Sequence, residues 1–205
     1  LTVPVASKVT NVETVNLIST ADINANATTW AETTALNTYS VGGATLTAAA
    51  TTAVAASDSN QGAGAIAVDG GSSVNVAATA QTTGTINVGA NTAAAGAVTV
   101  TSSGKYADGT NNTVGAITVK GGTTISVTQT TGITAAQTAA ALTDTTNFTQ
   151  TMSAVNITGN ASTAAVTVNA PAAVTEVDSA TVGKIGVTSG AVTIADVNAS
   201  SATAA

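Results

Sequence analysis

The chain has 205 residues, of which only 7% are charged: four Lys, no Arg and ten acids, for a net charge of −6. With no Cys and no His, it can build neither a disulfide framework nor a Cys or His metal site, and the Ser-His and Cys-His nucleophile systems are excluded. An acidic chain without Arg also lacks the clustered positive charge that phosphate backbones and anionic membrane surfaces require.

Period-2 alternation recurs from end to end and predicts a succession of short strands. In chain order they are Val12–Ile18, Ala65–Val68, Ser73–Ala77, Thr85–Val88, Ala97–Thr101 and Ala116–Val119. Thr124–Gln129, Ala154–Thr158, Ala165–Asn169, Lys184–Thr188 and Ala191–Asp196 follow. Short helices are predicted over Ala27–Leu36, around Trp30, and over Ala135–Leu142. KYADGTNNT, residues 105–113, reads as an exposed loop that interrupts the strands. No run reaches the ~18 apolar residues of a membrane-spanning helix, and a membrane barrel would want aromatic girdles. This chain has only Trp30, Tyr39, Tyr106 and Phe148. Nothing near Leu1 has the charged-then-apolar layout of a signal peptide.

Two phrases return along the chain. Gly-Ala-(Ile/Val)-x-(Val/Ile) starts at Gly64, Gly96, Gly115 and Gly190, and apolar-Asn-apolar is centred on Asn16, Asn75, Asn87 and Asn156. The predicted inward positions are Val, Ile and Ala, small enough for a narrow core. Outward positions are mostly Thr, Ser and Asn, and β-branched Thr suits a pleated surface facing water. Gly and Gly-Gly supply tight corners. The fold class expected is therefore all-β: a parallel β-solenoid, or β-helix-like stack, with short irregular strands. The alternative is a β-sandwich of hairpins, suggested by Asp69-Gly70 between alternating apolar runs. A β-rich segment, 1–63, leads into a repetitive solenoid segment, 64–205, continuous with it.

The stretch AVDGGSSVNVAATAQTTGTINVGANTAAAGAVTV, residues 67–100, resembles the central region of RTX-type bacterial surface-layer proteins. The likeness continues through VGAITVKGGTTISVTQT (114–130) and VNITGNASTAAVTVNAPAA (155–173), and NVETVNLIST (11–20) is similar to a strand phrase of the family. The resemblance implies type I secretion through an uncleaved C-terminal signal and assembly outside the cell. It also implies calcium binding and a two-dimensional lattice on lipopolysaccharide. Two family features are missing from these residues: the Gly-Gly-x-Gly-x-Asp calcium repeats and the helical N-terminal anchor. On that reading the chain is an assembly-forming middle portion of a larger protein, with lipopolysaccharide contacted through regions not in this chain.

Calcium takes oxygen donors, carboxylates and carbonyls above all. Asp58 with Asn60, Asp108 with Asn111, and Asp196 with Asn198 offer such donors at short spacing. Asx turns produce the same local composition without metal. Glu176 and Asp178 alternate on a predicted strand and could act as the carboxylate pair of a glycoside hydrolase, or simply be two solvated acids. Asp69 and Lys120 occupy corresponding places in two repeats, which suggests complementary charges on neighbouring coils. Thr45-Leu46-Thr47 and Thr99-Val100-Thr101 resemble the patches of ice-binding solenoids, without a regular row to join them. The expected function is structural and non-enzymatic: a secreted, self-assembling, calcium-dependent component of a bacterial surface layer. A repetitive extracellular adhesin or stalk module is the alternative, and a carbohydrate-active β-helix the third reading.

Overall fold

The computed structural model describes residues 1–106, 110–132 and 149–170 in full. Beyond them it describes the backbones of four strands, 173–177, 184–188, 192–195 and 202–204. No helix occurs among the described residues. Two long sheets wind together, both parallel throughout. The first is eight-stranded, in the order β1 (Thr14–Ile18), β3 (Ala35–Ser40), β5 (Ala53–Asp58), β7 (Ser73–Gln81), β9 (Val98–Gly104), β12 (Thr124–Thr130), β15 (Ala165–Asn169) and β19 (Ala202–Ala204). The second is seven-stranded: β2 (Ile23–Asn26), β4 (Ala44–Ala48), β6 (Ile66–Gly70), β8 (Ile86–Val88), β11 (Ile117–Lys120), β14 (Val155–Thr158) and β18 (Val192–Ala195). The chain alternates between them, so each coil adds one strand to each sheet. That is a parallel β-solenoid.

The core lies between the two sheets and is built of stacked aliphatic columns. Ile66 pairs with Ile86 and Ile86 with Ile117, all fully buried. On the facing sheet Val74 stacks on Val98 and Val98 on Ile125. Each fully buried Val or Ile contributes roughly 1.5–3 kcal/mol. A coil buries only a few of them, so stability comes from the number of stacked coils. The recurrence of the Gly64 phrase at Gly115 is thereby explained: the two stretches lie two coils apart, with β8 between them.

The hairpin alternative fails at the turn that suggested it. Gly70 and Gly71 have φ of 77° and 92°, and Gly121 and Gly122 have 73° and 111°. The left-handed glycines would suit a hairpin turn, but these residues form a corner. β6 pairs with β4 and β8, while β7, on the other side of the corner, pairs with β5 and β9. No break in either sheet falls between residues 63 and 64, since β4 pairs with β6 and β5 with β7 across that point.

The helix expected over Ala27–Leu36 is absent. Thr33 Oγ1 donates to Val12 O and Thr34 N to Glu13 O of the preceding coil, and Ala35 already starts β3. These intercoil bonds hold the segment as two turns around Trp30. The other expected helix, Ala135–Leu142, lies outside the described residues. The 105–113 loop is shorter than expected, because Asn112–Val114 is a strand, β10, paired with β13 (Thr149–Met152). A third sheet grows from that pair through β16 (Ala173–Val177) and β17 (Lys184–Thr188), which join antiparallel. The N-terminal end is closed by residues 1–12. Val3 and Val9 pack on the core, and Trp30, 5% exposed, donates from Nε1 to Ser7 O at 3.2 Å.

Candidate functional site

The six calcium candidates do not come together. Asp58 ends β5 and is 2% exposed, one inward position beyond Val54 and Ala56. Its carboxylate accepts from Ser40 Oγ at 2.9 Å, Gly42 N at 3.1 Å and Asn60 N at 2.9 Å. Those donors saturate it and tie the end of one coil to the corner of the one before. Asn60 is exposed beside it and takes part through its backbone N–H. Asn111, on a different coil, accepts from Thr149 N at 2.8 Å and so fastens the loop to β13. It lines a recess of about 410 Å³ together with Thr82, Thr83, Lys105 and Thr113, and no carboxylate stands among its described lining residues. Asp108, Asp196 and Asn198 lie outside the described residues, as does Asp178. Glu176 sits on β16 opposite Ile185. Among the described residues no three His, Cys, Asp or Glu side chains gather as a metal set.

The charge pair between coils is replaced by something else. Asp69 and Lys120 follow Val68 and Val119, which are two coils apart with Val88 between them. Asp69 instead accepts from Asn91 N and Nδ2, both at 2.8 Å, and from Thr92 N at 3.2 Å. Partial burial pushes its carboxyl up, but the N–H donors outweigh that effect and hold it below the ordinary 3.8.

A set of corner glutamines went unnoticed in the sequence. Gln61-x-x-Gly64 and Gln81-x-x-Gly84 place a buried amide against the turn that follows it. Gln61 Nε2 donates to Gly64 O at 2.9 Å and to Thr85 O at 3.2 Å. Gln81 Nε2 likewise donates to Gly84 O and, one coil on, to Gly115 O at 3.2 Å, while its Oε1 accepts from Ser102 Oγ. Each glutamine therefore closes its own corner and staples it to the next coil. The repeated Gln-Thr-Thr-Gly at 81–84 and 129–132 was the available signal. Gln129 breaks the scheme: it is fully buried, and neither atom of its amide has a partner among the described residues.

The outer face of the eight-stranded sheet forms a continuous surface across the coils. Its columns follow the strand register. One runs Asn16, Asn37, Ala55, Asn75, Thr99, Ser126 and Thr167, and a second runs Ile18, Tyr39, Ser57, Ala77, Thr101, Thr128 and Asn169. Asn37 Nδ2 donates to Asn16 Oδ1 at 2.9 Å, joining the first two coils. Thr99 and Thr101 now sit in a regular row, stacked on Ser126 and Thr128. Thr45 and Thr47 belong to the opposite sheet. No residue of either column carries a charge, although the chain bears −6. The acids and amines of the described residues lie at strand ends and corners, at the N-terminal end, or on the seven-stranded and third sheets, as Asp58, Asp22, Lys120 and Glu176 do. Chemically the face offers hydroxyls, amides and methyls. None of the known protein families matches this chain, and no curated protein does so either.

Proposed function

We propose that this chain is a structural, non-enzymatic segment of a secreted bacterial surface-layer protein, and that its work is to tile into a two-dimensional lattice. The observation that carries this reading is the parallel β-solenoid with an uncharged, hydroxyl- and amide-rich outer sheet face. Coils of small residues make a rigid unit whose repulsion from neighbouring copies is low where its surface is neutral. The resemblance of residues 67–100 and 114–130 to RTX-type surface layers adds type I secretion, a cell-surface location and lipopolysaccharide as the supporting layer.

Calcium fits the acidic balance of the chain, since a divalent ion between copies would offset the net charge. The saturation of Asp58 by N–H and O–H donors argues for ions at seams between copies, and against an ion held by Asp58 itself. Electron microscopy of the secreted protein tests the reading. Ordered sheets with calcium that disperse on chelation support it. Isolated rods in both conditions overturn it in favour of an adhesin stalk.

A further inference from the structure

We infer that the outer face of the eight-stranded sheet is a self-association surface, docking back to back on the same face of a second copy of this chain. The inference rests on the assembly reading and names one contact within it. Three observations carry it.

The first is charge. Two identical faces meet symmetrically in a closed pair, so a face carrying charge of one sign would repel its own copy. The chain places Asp69 and Lys120 on the outer side of the seven-stranded sheet and keeps both outward columns of the eight-stranded sheet free of charge. The second is apolar exposure. Of the large hydrophobic side chains left open, Ile18 and Tyr39, 74% and 49% exposed, are register partners on this face. An exposed Tyr beside an aliphatic residue is the composition of an interface anchor. The third is area. Strands β1 to β15 in this sheet, spaced ~4.8 Å apart and three outward residues wide, give a patch of about 30 by 15 Å. A symmetric contact would then bury on the order of 900 Å² in total, below the ~1,200–2,000 Å² of stable complexes. That size suits a weak contact which holds only when many copies are arrayed.

The test uses the 205-residue chain in EDTA, so that any calcium seam is silent, with sedimentation equilibrium up to millimolar concentration. A weak monomer–dimer equilibrium, in the range of about tens to hundreds of micromolar, is expected of a contact below the standard size. Thr99→Lys and Thr101→Lys, both at exposed positions, should weaken it at least tenfold, and Tyr39→Ala by a similar factor. Thr45→Lys, on the outer side of the other sheet, should leave it unchanged. Circular dichroism establishes that each variant is folded, and Tyr39→Ala, which introduces no charge, guards against a lysine variant that fails to fold. A chain that stays monomeric at 1 mM overturns the inference. So does a dimer lost on Thr45→Lys but kept in Thr99→Lys, or a monomer that uses this face to hold a polysaccharide surface. Microscopy separates this result from the larger reading. Calcium-dependent sheets that persist in Thr99→Lys remove this face and leave the lattice standing. A face-dependent dimer without sheets does the reverse.

Discussion

Gly84→Ala probes the closeness of the coils directly. Gly42, Gly64, Gly84 and Gly115 succeed one another at one corner, and a Cβ on each of the last three would point at the carbonyl oxygen of the glycine one coil before. At Gly84 that Cβ would lie 2.1 Å from Gly64 O and 3.0 Å from Gln61 Nε2, where ordinary contact begins near 3.4 Å. The backbone at Gly64 would have to yield by about 1.3 Å in a region packed to crystal-like density. Overpacking of this kind costs roughly 1–3 kcal/mol. The shift also strains the bonds from Gln61 Nε2 to Gly64 O at 2.9 Å and from Gly84 N to Gly62 O at 3.1 Å, each contributing about 0.5–1.5 kcal/mol. The sum is about 2–6 kcal/mol, or a fall in Tm of ~4–24 °C for a chain of this size. Thermal and urea unfolding by circular dichroism measure it. Hydrogen exchange should place the loss in the coils that meet at this corner, since solenoids open locally. Gly159→Ala is the control, because the nearest atoms to a Cβ there are those of the Thr163 side chain, at 3.3–3.5 Å, and no backbone oxygen is closer. If Gly84→Ala melts together with the parent chain, the coils do not approach as closely as the glycine stack requires.

Other outcomes follow from single side chains. Gln129→Met should raise stability by about 1–3 kcal/mol in urea unfolding, because it removes a buried amide that lacks partners among the described residues, whereas Gln81→Met should lower it by breaking the staple to Gly115. For Asp69 the folded carboxyl lies below its unfolded value of 3.8, so its contribution is present above that value and lost as pH falls through the lower folded one. Unfolding free energies of the parent and Asp69→Asn, from urea titrations, should therefore converge in strong acid and part above about pH 4, by less than ~1 kcal/mol since the group is largely solvated. Removing residues 1–9 should shift Trp30 emission to the red with little change in strand content, because those residues supply Ser7 O and part of the cover over the indole.

The strands richest in Val and Ile were legible from alternation alone: β1, β6 to β9, β11, β12, β14 and β15 all fall where it placed them. Those of Ala, Thr and Ser, such as β3, β4 and β5, were not. Ala carries little strand preference, and these segments became strands because Leu36, Leu46 and Val54 stack in columns begun by their neighbours. The site shows the same division. Asp58 and Asn60 were visible as oxygen donors, yet only folding revealed that Ser40 and Gly42, remote in sequence, already fill the carboxylate. The corner glutamines were overlooked because each bonds a carbonyl from another coil.

Composition and period decided the class of this protein: small aliphatic residues alternating with Thr and Asn, with glycine between, admit a narrow all-β stack and exclude most chemistry. Whether Asp69-Gly70 turned back as a hairpin or around a corner, and whether the scattered Thr and Asn formed a surface, waited on the tertiary structure. The reason is physical: alternation specifies which side of a strand a residue occupies, while the identity of the neighbouring strand is set by packing between coils distant in sequence.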